Sequence, residues 1–137
     1  MQSMASSLKT NFDISNGMNV IRMMAGAFYA PHIIYKIVGW DASLVFFSKA
    51  GLEPALLFLT LSLITESVCA VGLFFGILTR WVGLAAAATM VVATYATFNV
   101  KGVGWLWNKG GVEYLAFWGV VSLVLAWMAW QAHWAKR

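Results

Sequence analysis

The sequence predicts an all-α integral membrane protein folded as a four-helix bundle. Hydrophobic residues make up 61% of the 137-residue chain and charged residues only 10%, whereas soluble domains carry about 25% charged residues. Such a composition leaves too little polar surface to cover a water-soluble globule. Four apolar stretches come close to the roughly 20 residues that a helix needs to cross a bilayer. The chain is therefore divided into a polar N-terminal segment, 1–17, and one four-span domain, 18–137.

The first span, predicted at about 18–38, is the least hydrophobic of the four. Spacings of three and four residues place its polar side chains on one stripe: Arg22, Tyr29, His32 and Lys36. A helix that faces only lipid would not collect polar residues in this way, so the stripe predicts contact with other helices. Pro31 removes one backbone hydrogen bond and predicts a bend beside His32.

The second span, predicted at about 55–78, carries a single charged residue, Glu66, near its middle. A carboxylate at that depth costs about 3 kcal/mol by insertion scales unless a partner neutralises it. Ser62 and Cys69 share its face, at spacings of four and three. A small, polar face is typical of contacts between membrane helices, and it predicts that Glu66 points into the bundle.

The remaining elements follow from short connections. The amphipathic stretch 42–47 predicts a short helix along the membrane interface. Two residues separate the second span from the third, about 81–98, so these two spans should form an antiparallel hairpin. A glycine-rich loop, 99–111, leads to the fourth span at about 112–134.

Four spans place both termini on the same side of the membrane. The distribution of lysine and arginine between the two sides favours cytoplasmic termini. The chain is therefore predicted to cross the membrane several times.

Depth along each helix, at about 1.5 Å per residue, brings the ionisable residues into one column. Lys36 and Glu113 lie near one membrane face, with Lys36 about 3 Å deep. His32 lies deeper, Glu66 lies about 16 Å deep, and Arg22 approaches from the opposite face. We call this column the polar seam: Arg22, Glu66, His32, Lys36 and Glu113, with Tyr29 on the same stripe.

The polar seam has two interpretations, and the sequence leaves both open. It can be a set of buried ion pairs and hydrogen bonds that fixes helix register. Alternatively, Glu66 and His32 are titratable groups that face a water-accessible cavity and serve a proton, a quinone or a small anion.

The sequence predicts no catalytic residue, no metal site and no nucleic-acid partner. Its two histidines, His32 and His133, fall on different spans, and Cys69 is the only cysteine, so no ligand set for a metal is apparent. No paired helical histidines for haem, cysteine cluster or nucleotide loop occurs. The nine basic residues are spread along the chain and form no patch for nucleic acid.

Several motifs, taken in order, resemble the DoxX family of small bacterial four-helix membrane proteins. They are Arg22-x3-Gly26-x-Phe28, then Lys36, then GLEP at 51–54, then ITESVCAVGLFFGILTR at 64–80, then GGVEY at 110–114. The resemblance extends from residue 20 to about residue 125. It adds a family expectation to the fold predicted from composition.

The resemblance implies a location in the bacterial inner membrane and a role in membrane redox chemistry. The family includes DoxD, a subunit of a thiosulfate:quinone oxidoreductase, so the chain is expected to be an accessory or anchor subunit of a quinone-linked complex. Expected partners are membrane lipids and either other membrane subunits or further copies of this chain, with quinone or lipid bound at an interface. The alternative is a small stand-alone membrane oxidoreductase or transporter that uses Glu66, His32 and Lys36 to handle protons or a thiosulfate-like anion. Whether the chain is an enzyme stays open, and a non-catalytic subunit is favoured.

Overall fold

The computed structural model describes residues 4–137, and all regular structure in that part of the chain is helical. The elements are α1 Met4–Asn11, α2 Gly17–Ala27, α3 Tyr29–Val38, α4 Trp40–Lys49, α5 Ala55–Phe75, α6 Thr79–Lys101, a 3-10 turn Trp107–Lys109, and α7 Glu113–Trp134. The all-α prediction is confirmed.

Within residues 4–137, α5, α6 and α7 are the helices with both the length and the apolar character to cross a membrane. They contain 21, 23 and 22 residues. At about 1.5 Å per residue, each matches or slightly exceeds a hydrocarbon core of about 30 Å. These helices correspond to the predicted second, third and fourth spans.

The predicted first span is present as two shorter helices, α2 and α3, which meet at Phe28. The backbone at Phe28 stays in the right-handed helical region, with φ −71° and ψ −12°, so the interruption is slight. Pro31 explains it, because its ring nitrogen cannot donate to the carbonyl of Ala27, the last residue of α2. The interruption lies one turn before the predicted position beside His32, since the missing bond belongs to the preceding turn.

The connection between α5 and α6 is a tight turn closed by a glycine. Gly76 has φ +72° and ends α5 in the left-handed conformation, which costs glycine little. The amide of Ile77 donates to the carbonyl of Gly72 at 2.8 Å, as in a Schellman-type helix end. The predicted hairpin of the second and third spans therefore has a defined geometry.

Two glycines allow neighbouring helices to approach with their backbones nearly touching. A Cβ added at Gly26 in α2 would lie 2.5 Å from the amide nitrogen of Phe74 in α5. A Cβ added at Gly83 in α6 would lie 2.8 Å from the carbonyl oxygen of Ser122 in α7. Close approach through small residues is the usual packing mode of membrane helices.

The buried core draws on every long helix and consists largely of small or medium side chains: Ala25, Tyr29, Cys69, Leu73, Val82, Ala86 and Leu125. Cys69 is a fully buried free thiol within this cluster. The core occupies the end of the bundle where α5 turns into α6, and it forms the floor of the site described below.

Of the two short flanking helices, α4 was predicted from the sequence and α1 was not. Helix α4 contains the amphipathic stretch predicted at 42–47. Helix α1 lies in the polar segment 1–17, where no helix was predicted. The Asn16 side chain accepts a hydrogen bond from the amide of Met18 at 3.0 Å and so caps α2. Residues 1–3 of that segment lie outside the described residues.

Candidate functional site

A large cavity opens between α3, α4, α5, α6 and α7. Its volume is about 850 Å³, within the range of pockets that hold small organic ligands. Aromatic side chains form much of its wall: Phe28, Tyr29, Tyr35, Phe46, Phe47, Phe58, Tyr114 and Trp118. A cavity of this kind can surround a flat, mostly apolar molecule.

An ion pair between Lys36 and Glu66 lies in the wall of this cavity. Lys36 is in the last turn of α3, and Glu66 is near the middle of α5. The ammonium also donates to the hydroxyl of Ser62 at 3.0 Å. Ser62 lies one turn before Glu66 on the same face of α5. The Ser62 hydroxyl and the Glu66 carboxylate can therefore both accept hydrogen bonds from the Lys36 ammonium. Lys36 is therefore the partner that neutralises the charge of Glu66.

The ion pair is largely sheltered from solvent. The Glu66 side chain is 8% exposed and the Lys36 side chain is 20% exposed. The ring centre of Phe47 lies 6.0 Å from the Lys36 nitrogen, at the outer limit of a cation–π contact. Electrostatic interactions strengthen in such a low-dielectric setting.

The pair is not fully satisfied by the described protein atoms. The second carboxylate oxygen of Glu66, Oε2, is buried and has no hydrogen-bond partner among the described residues. An ammonium carries three N–H donors, and the bonds to Glu66 and Ser62 use two of them. The pair therefore has one buried acceptor oxygen without a partner among the described residues, and one N–H beyond the two bonds to Glu66 and Ser62.

Tyr29 and His32 line the same cavity on the α3 side. Tyr29 is 8% exposed and belongs to the buried core, whereas His32 is exposed. Four members of the predicted set thus meet at one cavity: Tyr29, His32, Lys36 and Glu66.

Arg22 does not join this group. It is 6% exposed and its guanidinium donates to the backbone carbonyls of Asn11, Leu73 and Phe74, the last at 2.8 Å. The last carbonyls of a helix lack partners within the helix and carry partial negative charge, so the guanidinium serves as a cap for α5. The polar seam is consequently divided, with Arg22 at one end of the bundle.

Glu113 also has a different partner from the one that the depth count indicated. Its carboxylate accepts a hydrogen bond from the amide of Trp107 at 2.9 Å and so holds the loop before α7. The ammonium of Lys36 is turned towards Glu66 instead. The neighbour of Glu113, Tyr114, does line the cavity.

One set of structural contacts, between the N-terminal segment and α5, was not predicted from the sequence. The Asn11 side chain donates to the carbonyls of Phe75, at 3.1 Å, and Gly76, at 3.4 Å. The adjacent Phe12 ring packs edge-on against Phe74, with centres 5.8 Å apart. Together with the bond from Arg22 to Asn11, these contacts attach α1 to the end of α5. The polar composition of the N-terminal segment does not predict this partner.

Across residues 4–137, His, Cys, Asp and Glu side chains form no group of three that could hold an ion.

A family model described as DoxX matches residues 17–102, which run from the start of α2 to just past the end of α6. The matched region contains Lys36, Ser62 and Glu66. Searches of curated proteins and of solved structures returned no match.

Proposed function

This chain belongs to the DoxX family, and from that premise we propose that it binds a quinone-like molecule in the cavity beside the Lys36–Glu66 pair. In this proposal the protein crosses the bacterial inner membrane four times, with cytoplasmic termini, as an accessory subunit of a redox complex. The observation that carries the proposal is the sheltered ion pair in the cavity wall, with its spare donor and acceptor.

The fourth crossing is assigned to α2 and α3 together. They contain 11 and 10 residues and are separated only by Phe28, so their combined length is close to that of one span. Both helices carry exposed apolar side chains: Ile21, Met24, Ile34, Ile37 and Val38. Four crossings make a closed four-helix bundle around the cavity.

The chemistry of the pair fits a quinone head. A quinone carbonyl can accept the spare N–H of Lys36, and a quinol hydroxyl can donate to Glu66 once the carboxyl group rotates to present Oε2. The charges of Lys36 and Glu66 cancel within the pair, which suits a neutral ligand beside it. Lys101 also lines the cavity, and its ammonium could bind the thiosulfate-like anion of the alternative. The aromatic wall, including Phe47 and Trp118, supplies faces for a planar ring.

The accessory role follows from what such a ligand would need. The sequence contains no haem, cysteine-cluster or nucleotide motif, so electrons for a bound quinone would come from a partner subunit. The alternative, a stand-alone oxidoreductase or transporter, draws on the presence of Tyr29 and His32 in the same cavity. Those groups could extend a proton path from Glu66.

The binding test uses the full-length protein in lipid nanodiscs and a short-chain ubiquinone analogue as the probe. Glu66→Gln and Lys36→Met each remove one side of the pair, and a hydrogen bond to a charged group contributes roughly 1.5–3 kcal/mol. We expect each variant to bind at least tenfold more weakly. The matched controls, Glu113→Gln and Lys49→Met, change the same residue types outside the ion pair and should bind like the wild type. Equal binding by Glu66→Gln and the wild type would contradict the proposal.

The assembly test is purification from native membranes under mild conditions. Co-purification with a haem- or flavin-bearing protein supports the accessory role. A monomer or homo-oligomer with its own turnover, lost in Glu66→Gln, supports the stand-alone alternative.

A further inference from the structure

A second concave surface is lined by residues of α6 and α7 alone. This groove has a volume of about 430 Å³ and is lined by Leu84, Leu123, Ala126, Trp127, Trp130 and Trp134. Its walls are almost entirely hydrocarbon, and Trp127 and Trp134 are 64% and 59% exposed. Because α6 and α7 are helices of spanning length, the groove faces the lipid phase.

The groove ends at a cluster of basic and aromatic residues. The guanidinium carbon of Arg80 lies 4.9 Å from the ring centre of Trp130 and 5.8 Å from that of Trp81. The His133 ring lies 6.2 Å from Trp130. The amides of Lys136 and Arg137 donate to the carbonyls of His133, at 3.4 Å, and Trp134, at 3.1 Å, so the last two residues stay at the end of α7. We call Arg80, His133, Lys136 and Arg137 the basic cluster.

The basic cluster lacks an acidic partner from its own helices. The chain has five acidic residues, Asp13, Asp41, Glu53, Glu66 and Glu113. None falls in α6, and the only one in α7, Glu113, is at the other end of that helix. Among residues 4–137, the ion pair found is Lys36–Glu66. The positive charge at the end of the groove is therefore open to an anion from outside the chain.

We propose that the groove and the basic cluster together bind one anionic phospholipid, its phosphate beside Arg80 and its acyl chains along Trp127 and Leu123. Three features support this occupant. A free phosphate would not cover the apolar groove, and a neutral lipid would not neutralise the positive charge of the basic cluster. Tryptophan and arginine at a span end suit the headgroup level of a membrane. The proposal is independent of the ligand in the central cavity.

The test measures lipid selectivity of the full-length protein in phosphatidylcholine vesicles by electron paramagnetic resonance. Spin-labelled phosphatidylglycerol and spin-labelled phosphatidylcholine are compared, and the ratio of their association constants with the protein is the readout. A basic residue near an anionic headgroup contributes enough to change that ratio roughly fivefold. We expect the wild type to prefer phosphatidylglycerol and Arg80→Gln to lose roughly fivefold of that preference.

Two further variants guard against misfolding. Arg80→Lys keeps the charge and should keep most of the preference. Lys136→Gln combined with Arg137→Gln alters only the last two residues, outside α7, and should also reduce the preference. The control, Lys101→Gln combined with Lys109→Gln, removes two charges from the opposite end and should leave the ratio unchanged.

Three outcomes would overturn the proposal. The first is a wild type without preference for phosphatidylglycerol, and the second is a control that loses as much preference as the basic-cluster variants. The third is a Trp127→Ala variant that dissociates an oligomer while lipid selectivity stays intact, because the groove would then be a subunit interface.

Discussion

The ion pair between Lys36 and Glu66 makes a quantitative prediction about stability. Replacement of each residue by methionine keeps the side-chain volume close to that of the original and removes its charge. Removal of one partner of a buried ion pair costs roughly 3–5 kcal/mol, whereas replacement of both partners by apolar residues is often nearly neutral. A double-mutant cycle on this pair should therefore be strongly non-additive.

The exposure of the two side chains sets the size and the order of the effects. In Glu66→Met the remaining ammonium is 20% exposed and can reach water, so we expect a loss of about 2 kcal/mol, discounted for that screening. In Lys36→Met the remaining carboxylate is 8% exposed, and the expected loss is about 3 kcal/mol. The double variant should lie within about 1 kcal/mol of the wild type.

The assay is reversible unfolding by sodium dodecyl sulfate in mixed micelles, followed by far-ultraviolet circular dichroism. Lys109→Met and Glu113→Met serve as the control pair, for which no mutual ion pair exists among the described contacts. A coupling energy below about 0.5 kcal/mol between Lys36 and Glu66, the level of ordinary additivity, would refute the reasoning. So would a Glu66→Met variant that is less stable than Lys36→Met.

Three further predictions concern other parts of the molecule. Gly26→Ala forces a Cβ against the backbone of α5 and should cost about 1–3 kcal/mol in the same unfolding assay, while Gly17→Ala, with open space around it, should change stability by less than about 0.5 kcal/mol; equal effects would contradict the packing argument. Arg22→Lys keeps the charge but cannot span three carbonyls, so hydrogen exchange in α1 should speed up, and unchanged exchange would show that the helix is held otherwise. Ser15→Ala should raise the pKa of Asp13, which hydrogen bonds from the Ser15 hydroxyl and amide hold below its ordinary value; the stability that these bonds give is present above the unfolded-state pKa and is lost as pH falls through the lower folded-state pKa. A carboxyl ¹³C titration that gives the same Asp13 pKa in both proteins would count against this last prediction.

Much of the fold follows from the sequence because a membrane restricts the choice of structure. Apolar length and short connections were enough to predict α5, α6 and α7, since only helices and closed barrels satisfy their backbones in lipid. Pro31 predicted a bend beside His32, and the structure shows a slight interruption one turn earlier, at Phe28. Helix α1 was missed, because its attachment depends on the distant carbonyls of Phe75 and Gly76 and leaves no local pattern.

The sequence predicted several residues of the candidate site, but it did not predict which of them pair with one another. The common stripe of Tyr29, His32 and Lys36 and the polar face of Glu66 brought the right helices together. Depth along each helix then paired Lys36 with Glu113, because it treated every side chain as if it ended at its own Cα level. A lysine stem is long and apolar and can carry its charge along the helix, and Ser62 one turn from Glu66 favours that direction.

The attachment of Arg22 to α5 has a consequence for biosynthesis. Fifty-one residues separate Arg22 from Leu73, whose carbonyl it caps. When α2 leaves the ribosome, the guanidinium has no acceptor of this kind, because α5 has yet to be translated. We expect the segment that contains α2 and α3 to stay at the translocon until α5 has been translated. The two segments would then enter the bilayer together.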